Sequence, residues 1–336
     1  GYDYLFFYGA GVMFAGWLIM LTIKDRCPKH VEHLKLPGFF RLLRARGMRG
    51  AVVGSIAFGV AIGSIFAFVA PYLATLKVEG VGPLFACTTI ASGASRILAG
   101  RMTDRLGPRQ ILITSAIVSV ATHLLFPLVA YDMISGMLLR AIAGMGFAGV
   151  YVPGSRIIAE RFRGGERGRA LGLFVTAQYV AYSGSLAITG ALMTTLDWRQ
   201  AYLTLSLVAI MCLPMAYILL HRHTQRPASP SSGKLNIAVL SNPSVRYLIL
   251  GYSIHAMQLH AVRVWLPGFL LTVLVAAGAE STPQAVAKAA TVTGLTMTLG
   301  SLGPVMGGAI SDRWGRAASA SAIFALSGGC SLAIGW

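Results

Sequence analysis

Gly100-Arg-Met-Thr-Asp-Arg-Leu-Gly-Pro-Arg109 sets four charged side chains into ten residues, wedged between two long apolar runs. A second stretch, Gly308-Ala-Ile-Ser-Asp-Arg-Trp-Gly-Arg316, repeats glycine, aspartate, arginine, glycine and arginine at nearly the same offsets, again between apolar runs. An unpaired charge is expensive in hydrocarbon, so each turn is expected at a membrane surface. Two such turns far apart are what a chain of two similar halves would show.

Composition supports this reading. The chain is 55% hydrophobic and 12% charged, with 39 glycines; a soluble domain carries roughly twice that charged fraction. Apolar runs of about 20 residues follow one another from end to end, the mark of membrane-spanning helices. The expected class is an all-α polytopic membrane protein. The net charge of +17 does not point to nucleic acid, because its distribution alternates. Lys24 to Arg49, Arg101 to Arg109, Arg156 to Arg169, Arg222 to Arg246 and Arg313 to Arg316 hold nearly all the basic residues, while the loops between hold Lys77, Arg199 and Lys288. Positive residues mark cytoplasmic loops, so these clusters are expected inside the cell. Four scattered cysteines offer no metal or disulfide spacing.

The paired turns carry a family resemblance. Gly-x-x-x-Asp-Arg-x-Gly-x-Arg resembles the signature loop of the major facilitator superfamily, found between its second and third helices and, more weakly, between its eighth and ninth. In the first copy, Pro108 stands where the family usually has a basic residue. The resemblance covers roughly residues 50–336 and implies two pseudo-symmetric six-helix bundles, the C-terminal one incomplete here. It also implies a multi-pass protein of a bacterial inner membrane, with no cofactor and no metal. Gly100, Asp104, Arg105, Gly107 and Arg109, with Gly308, Asp312, Arg313, Gly315 and Arg316, are then gating-motif residues. The first glycine would allow close helix packing, and the Asp-Arg pair would tie helix ends together. Glu160 and Arg161 resemble the family's charged end between helices 4 and 5.

In order, residues 1–23 form an extra transmembrane helix and 24–49 a basic amphipathic segment lying on the cytoplasmic face of the bilayer. Residues 50–220 make the N-terminal bundle: helices at 50–75, 82–102, 110–130, 133–157, 170–195 and 201–220. Residues 221–245, rich in Pro, Ser and basic residues, read as the linker between halves. Residues 246–336 hold helices at 246–274, 289–310 and from 317. Starting without Met and stopping at Trp336 inside an apolar run, the chain reads as a fragment.

Every Asp and Glu falls in an expected loop or at a helix end, so no carboxylate is expected mid-membrane. A proton carrier, if one operates, is then a histidine, a helix beyond this sequence, or the substrate itself. Two cations stand out inside helices. Arg140 opens Arg140-Ala-Ile-Ala-Gly144-Met-Gly146, similar to the family's fourth-helix motif; Arg263 lies within helix 7. A buried guanidinium normally faces a partner or a cavity. For Arg140 the plainer alternative is bonding to neighbouring helices, and for Arg263 it is snorkelling to the outer surface. Helix 7 also places Tyr252, His255 and His260 with Arg263 on an arc of roughly 140°. Helix 5 aligns Gln178, Tyr182, Ser185 and Thr189 within roughly 60°, a stripe facing either a polar pathway or another helix.

The sequence contains no phosphate-binding loop, HExxH or nucleophile elbow. The resemblance therefore implies a non-enzymatic secondary transporter working by alternating access, expected as a monomer. The arginines and histidines, without a mid-membrane carboxylate, point to a small anionic solute, with a co-transported proton left open. A non-transporting sensor, or a module fused to an upstream redox domain, are the alternatives.

Overall fold

The computed structural model describes residues 2–23, 39–45, 48–78, 80–162, 165–221, 240–278 and 283–336. Among these the chain is helical, without strands: α1 (Tyr2–Leu21), α2 (Phe39–Arg44), α3 (Met48–Gly63), α4 (Ile65–Leu76), α5 (Gly82–Leu106), α6 (Pro108–Val129), α7 (Met133–Arg161), α8 (Gly165–Leu192), α9 (Trp198–His221), α10 (Pro243–Ala276), α11 (Pro283–Gly300), α12 (Gly303–Trp314) and α13 (Arg316–Gly335). Eight stretches, including α1, α7 and α13, are long and apolar enough to cross a membrane. The residues expected as the linker core, 222–239, and most of the basic segment, 24–38, lie outside the described residues.

The helices form two compact units. In the larger, α7 packs against α5 and α6, α3 against α8 and α9, and α11 against α8. One end of this unit is an aromatic cluster in which Phe68, Tyr72, Phe126 and Tyr202 are fully buried. The Phe68 and Tyr202 rings lie 4.4 Å apart. At its other end Leu42 of α2 is buried with Met48, Ile158 and Phe174, while Arg41 and Arg44 remain exposed. In this short described part of the basic segment Leu42 is buried and Leu43 packs on the same cluster, opposite the exposed arginines. In the smaller unit α1 packs on α13, with Met13, Met20 and Phe324 at the contact. Gly16 admits this packing: a Cβ there would lie 2.5 Å from the Phe324 ring.

Two expected helices are interrupted. Helix 1 divides at Ser64 into α3 and α4, though Ser64 keeps a helical φ of −63° and ψ of −30°, so the break is shallow. Helix 8 starts at Pro283, earlier than expected, and divides at Ser301–Leu302. Its cause is local: Pro304 cannot donate a hydrogen bond back to Gly300, and its ring crowds that carbonyl. Lys288, expected in a loop, is therefore an exposed residue of α11. Close-packing roles for the helix glycines divide the same way. A Cβ on Gly59 or Gly63 would meet α8 at 2.8 Å or less, whereas on Gly100, Gly300 or Gly303 it would meet nothing within 4 Å. Packing thus accounts for the first pair and not for the other three.

Candidate functional site

The charged turn joins α5 to α6 through Gly107, whose φ of 89° and ψ of 150° suit only glycine. Its N–H donates to Thr103 O at 3.0 Å. The second turn repeats this backbone: Gly315, between α12 and α13, has φ 88° and ψ 160°, and its N–H donates to Ser311 O at 3.1 Å. Gly308, Asp312 and Arg313 lie on α12, and Arg316 opens α13. In the first copy the Asp104 carboxylate accepts from Arg156 of α7, whose Nε also donates to Glu160 at 3.0 Å. Arg156 is thus the hub of this end, ahead of the expected Arg105 and Arg161, which are both exposed. Arg109 turns back over the Tyr217 ring of α9 at 5.7 Å.

Deeper in the same unit is a buried polar cluster. Arg140 on α7 is 4% exposed and His123 on α6 2%. Both line a cavity with Phe58, Ala61, Ile62, Ser119 and Ala143. Its interior, about 10 Å³, is about the room one water needs. No carboxylate pairs with Arg140 among the described residues; its polar neighbours are the hydroxyls of Tyr202 and Tyr182. The His123 ring packs at 4.2 Å on Tyr202, and its Nε2 lies 3.2 Å from Ser64 Oγ at the α3–α4 break. Among the described residues, Ser119 Oγ and His123 Nδ1 are buried without a directed hydrogen bond. A group of polar atoms this enclosed and this incompletely satisfied is costly, and such sites are characteristically functional.

The helix-5 stripe, on α8, is buried throughout. Ser185 donates to Val60 O of α3 at 2.8 Å, so its hydroxyl serves as interhelical bonding. Tyr182 packs edge-on against Phe66 and faces Arg140, and Gln178 is buried on the same face. The helix-7 residues, on α10, belong to the other unit. Tyr252, His255 and His260 are exposed there and Arg263 is half-buried. His260 Nδ1 donates to Ala256 O at 2.7 Å, and His255 lies within electrostatic reach of both His260 and Arg263. Gln258 reaches Ser327 and Ser331 of α13.

The structure adds residues that sequence reading missed. His123 sits inside an apolar helix, two turns from its end, and would have been found by the same rule that singled out Arg140. Arg96, midway along α5, satisfies that rule too; it is exposed, with its guanidinium 5.9 Å from the Phe147 ring. Phe147 stacks on Phe58, a wall of the Arg140 cavity. Arg156 gave a weaker signal, its i,i+4 spacing to Glu160.

The model of the Major Facilitator Superfamily matches residues 53–336. The chain is 24% identical over 215 residues to a probable L-galactonate transporter of Escherichia coli (strain K12), covering 59% of this chain and 47% of that protein. It is 28% identical over 217 residues to a glycerol-3-phosphate transporter of Bacillus subtilis (strain 168), covering 61% and 48%. To a probable galactarate/D-glucarate transporter of Escherichia coli (strain K12) it is 23% identical over 269 residues, covering 69% and 57%. The chain spans about half the length of the curated relatives it matches.

Proposed function

Because the chain belongs to the major facilitator superfamily, and its buried arginine lacks a carboxylate partner among the described residues, we propose that it carries a small organic anion across a membrane by alternating access. The observation that carries this reading is Arg140. A buried guanidinium needs a counter-charge, and hydroxyls alone supply only dipoles. A substrate carboxylate or phosphate would supply that charge, bidentately, to the planar fork. The named cargoes of the relatives support the class: a sugar acid, a phosphate ester and sugar diacids.

In this reading Arg140 binds the anion, with Tyr182 and Gln178 beside it, and the cavity enlarges when its side of the membrane opens. Tyr252, His255, His260 and Arg263 of α10 are further candidate anion contacts. Ser185 holds α8 to α3. The Arg156–Asp104–Glu160 cluster, with the paired turns, latches the cytoplasmic ends and parts as the cavity opens inward. The protein acts as a monomer in a bacterial plasma membrane, with the turns cytoplasmic, residues 50–220 forming one bundle and 246–336 part of the other.

The test is uptake of radiolabelled sugar acids, phosphate esters and neutral sugars by proteoliposomes containing the full-length protein. Saturable flux confined to the anions and lost in Arg140→Ala is expected. Flux of neutral solutes that is indifferent to Arg140 would overturn the reading. Anion binding without flux would favour a sensor.

A further inference from the structure

We propose that α10 and α13 together form a docking surface for one further helix, and that α1 is its occupant, closing the second half of the fold as α9 closes the first. The two charged turns fix the correspondence. α6 leaves the first turn through Gly107 and α13 leaves the second through Gly315, with the same backbone geometry, so α13 is the counterpart of α6. α3 and α10 open the two halves. In the first half α9 packs on both α3 and α6 and runs antiparallel to each. Leu220 meets Gly50, and Ala216, one turn earlier, meets Gly54, one turn later. Leu220 shares a cluster with Leu112, and Tyr202 stacks on Phe126 farther along α6.

α1 repeats this placement within the smaller unit. Against α10, Phe6 meets Phe269 with ring centroids 5.0 Å apart, Gly16 meets Ile254 and Met20 meets Gly251, so the two run antiparallel. Against α13, Met13 meets Gly328 and Gly16 meets Phe324, antiparallel again. The buried stripes match: Phe6, Ala10, Gly16 and Met20 on α1 have nearly the spacing of Ser206, Ala209, Ala216 and Leu220 on α9. Each helix ends by laying a large apolar side chain, Met20 or Leu220, over a glycine, Gly251 or Gly50. Both then run into basic residues, Lys24-Asp-Arg26 and His221-Arg-His223, which gives them one direction across a membrane. In lipid no hydrophobic force draws helices together, so closeness of fit decides the partner. Gly16, Gly251 and Gly328 clear the way for α1 at its contacts. The opposite face of α1, with Tyr4, Tyr8, Phe14 and Leu18, is exposed. α1 thereby braces α10, the helix of His255 and Arg263, alongside the bonds from Gln258 to Ser327 and Ser331.

The experiment is cysteine cross-linking in membranes containing the full-length protein, its other cysteines replaced by serine. Met13→Cys is paired with Gly328→Cys, where the two Cβ atoms stand 3.3 Å apart, close to the separation of about 3.5–4.5 Å that a disulfide takes. Gly54→Cys with Ala216→Cys, 3.9 Å apart, is the matching pair in the first half. Linked peptides are identified by mass spectrometry from the monomer and dimer bands of a non-reducing gel. Both pairs are expected to link within one chain, each in more than about half of the molecules, while Phe14→Cys on the exposed face should link to Gly328→Cys at least about tenfold less. A short bifunctional thiol reagent should likewise join Met20→Cys to Gly251→Cys. A first-half pair that links while Met13→Cys and Gly328→Cys do not overturns the docking, and so does a link found only between two chains. Gly16→Leu, which drives a side chain into Phe324 and Ile254, should lower the Met13–Gly328 link by about fivefold or more. Gly9→Leu enters open space and should not; equal yields in these two variants would also contradict the docking. None of these readouts involves solute flux, so their failure leaves the Arg140 reading standing.

Discussion

Arg156 and Arg140 stand on the same helix, sixteen residues and about 24 Å apart, in opposite circumstances. Arg156, partly exposed, is held by two carboxylates, Asp104 from the neighbouring helix and Glu160 one turn on. Arg140 is buried among hydroxyls and an imidazole, with no carboxylate on it among the described residues. A partly exposed ion pair contributes about 0–1 kcal/mol and is easily exchanged for water. A buried cation cannot make that exchange. The difference teaches that the chain supplies the first arginine's counter-charge and not the second's; on the function proposed above, the second's comes from what the protein binds.

The sharpest way to break this contrast is at Arg140. Arg140→Ala should lower the initial rate of anion uptake by about 100-fold, the scale on which a buried charged partner is lost. Arg140→Lys should not restore it, because an ammonium lacks the planar fork; wild-type rates in that variant would contradict the assignment. Next comes the turn that presents Asp104. Gly107→Ala forces a side chain into a conformation only glycine tolerates and should cost about 1–3 kcal/mol, read by thermal unfolding in detergent. Gly315→Ala should cost about the same, since the two turns share one backbone geometry. Asp104→Asn should be milder. It removes one of two partners from Arg156, so transport should slow by about three- to tenfold while anion affinity is unchanged; a large loss of affinity would mean the two arginines are not independent. Smallest of all, Gly100→Ala should alter stability by less than about 0.5 kcal/mol, because its Cβ enters open space.

Much of this architecture was legible before any coordinates. The charged turns, the apolar runs and the alternation of basic clusters follow from the cost of placing charge in lipid, which acts locally and leaves its pattern in sequence. The interruption of helix 8 is legible too, in Pro304 between Gly303 and the run that follows. What could not be read was pairing across the fold. Asp104 and Arg156 are 52 residues apart, and His123 and Ser64 are 59; nothing in either neighbourhood names the other. Ser185 shows the limit from the opposite side. The polar stripe it stands on is legible in the sequence, but whether its hydroxyl faces a pathway or the Val60 carbonyl depends on how α8 packs against α3.

One measurement reaches the central claim without requiring flux. The purified full-length protein would be titrated with a sugar acid and, separately, with its uncharged amide, following thermal stability in wild type, Arg140→Gln and Arg156→Gln. Stabilisation by the acid alone, abolished in Arg140→Gln and retained in Arg156→Gln, is the result predicted. Equal stabilisation of wild type and Arg140→Gln by the acid would contradict it, and would return Arg140 to holding helices together.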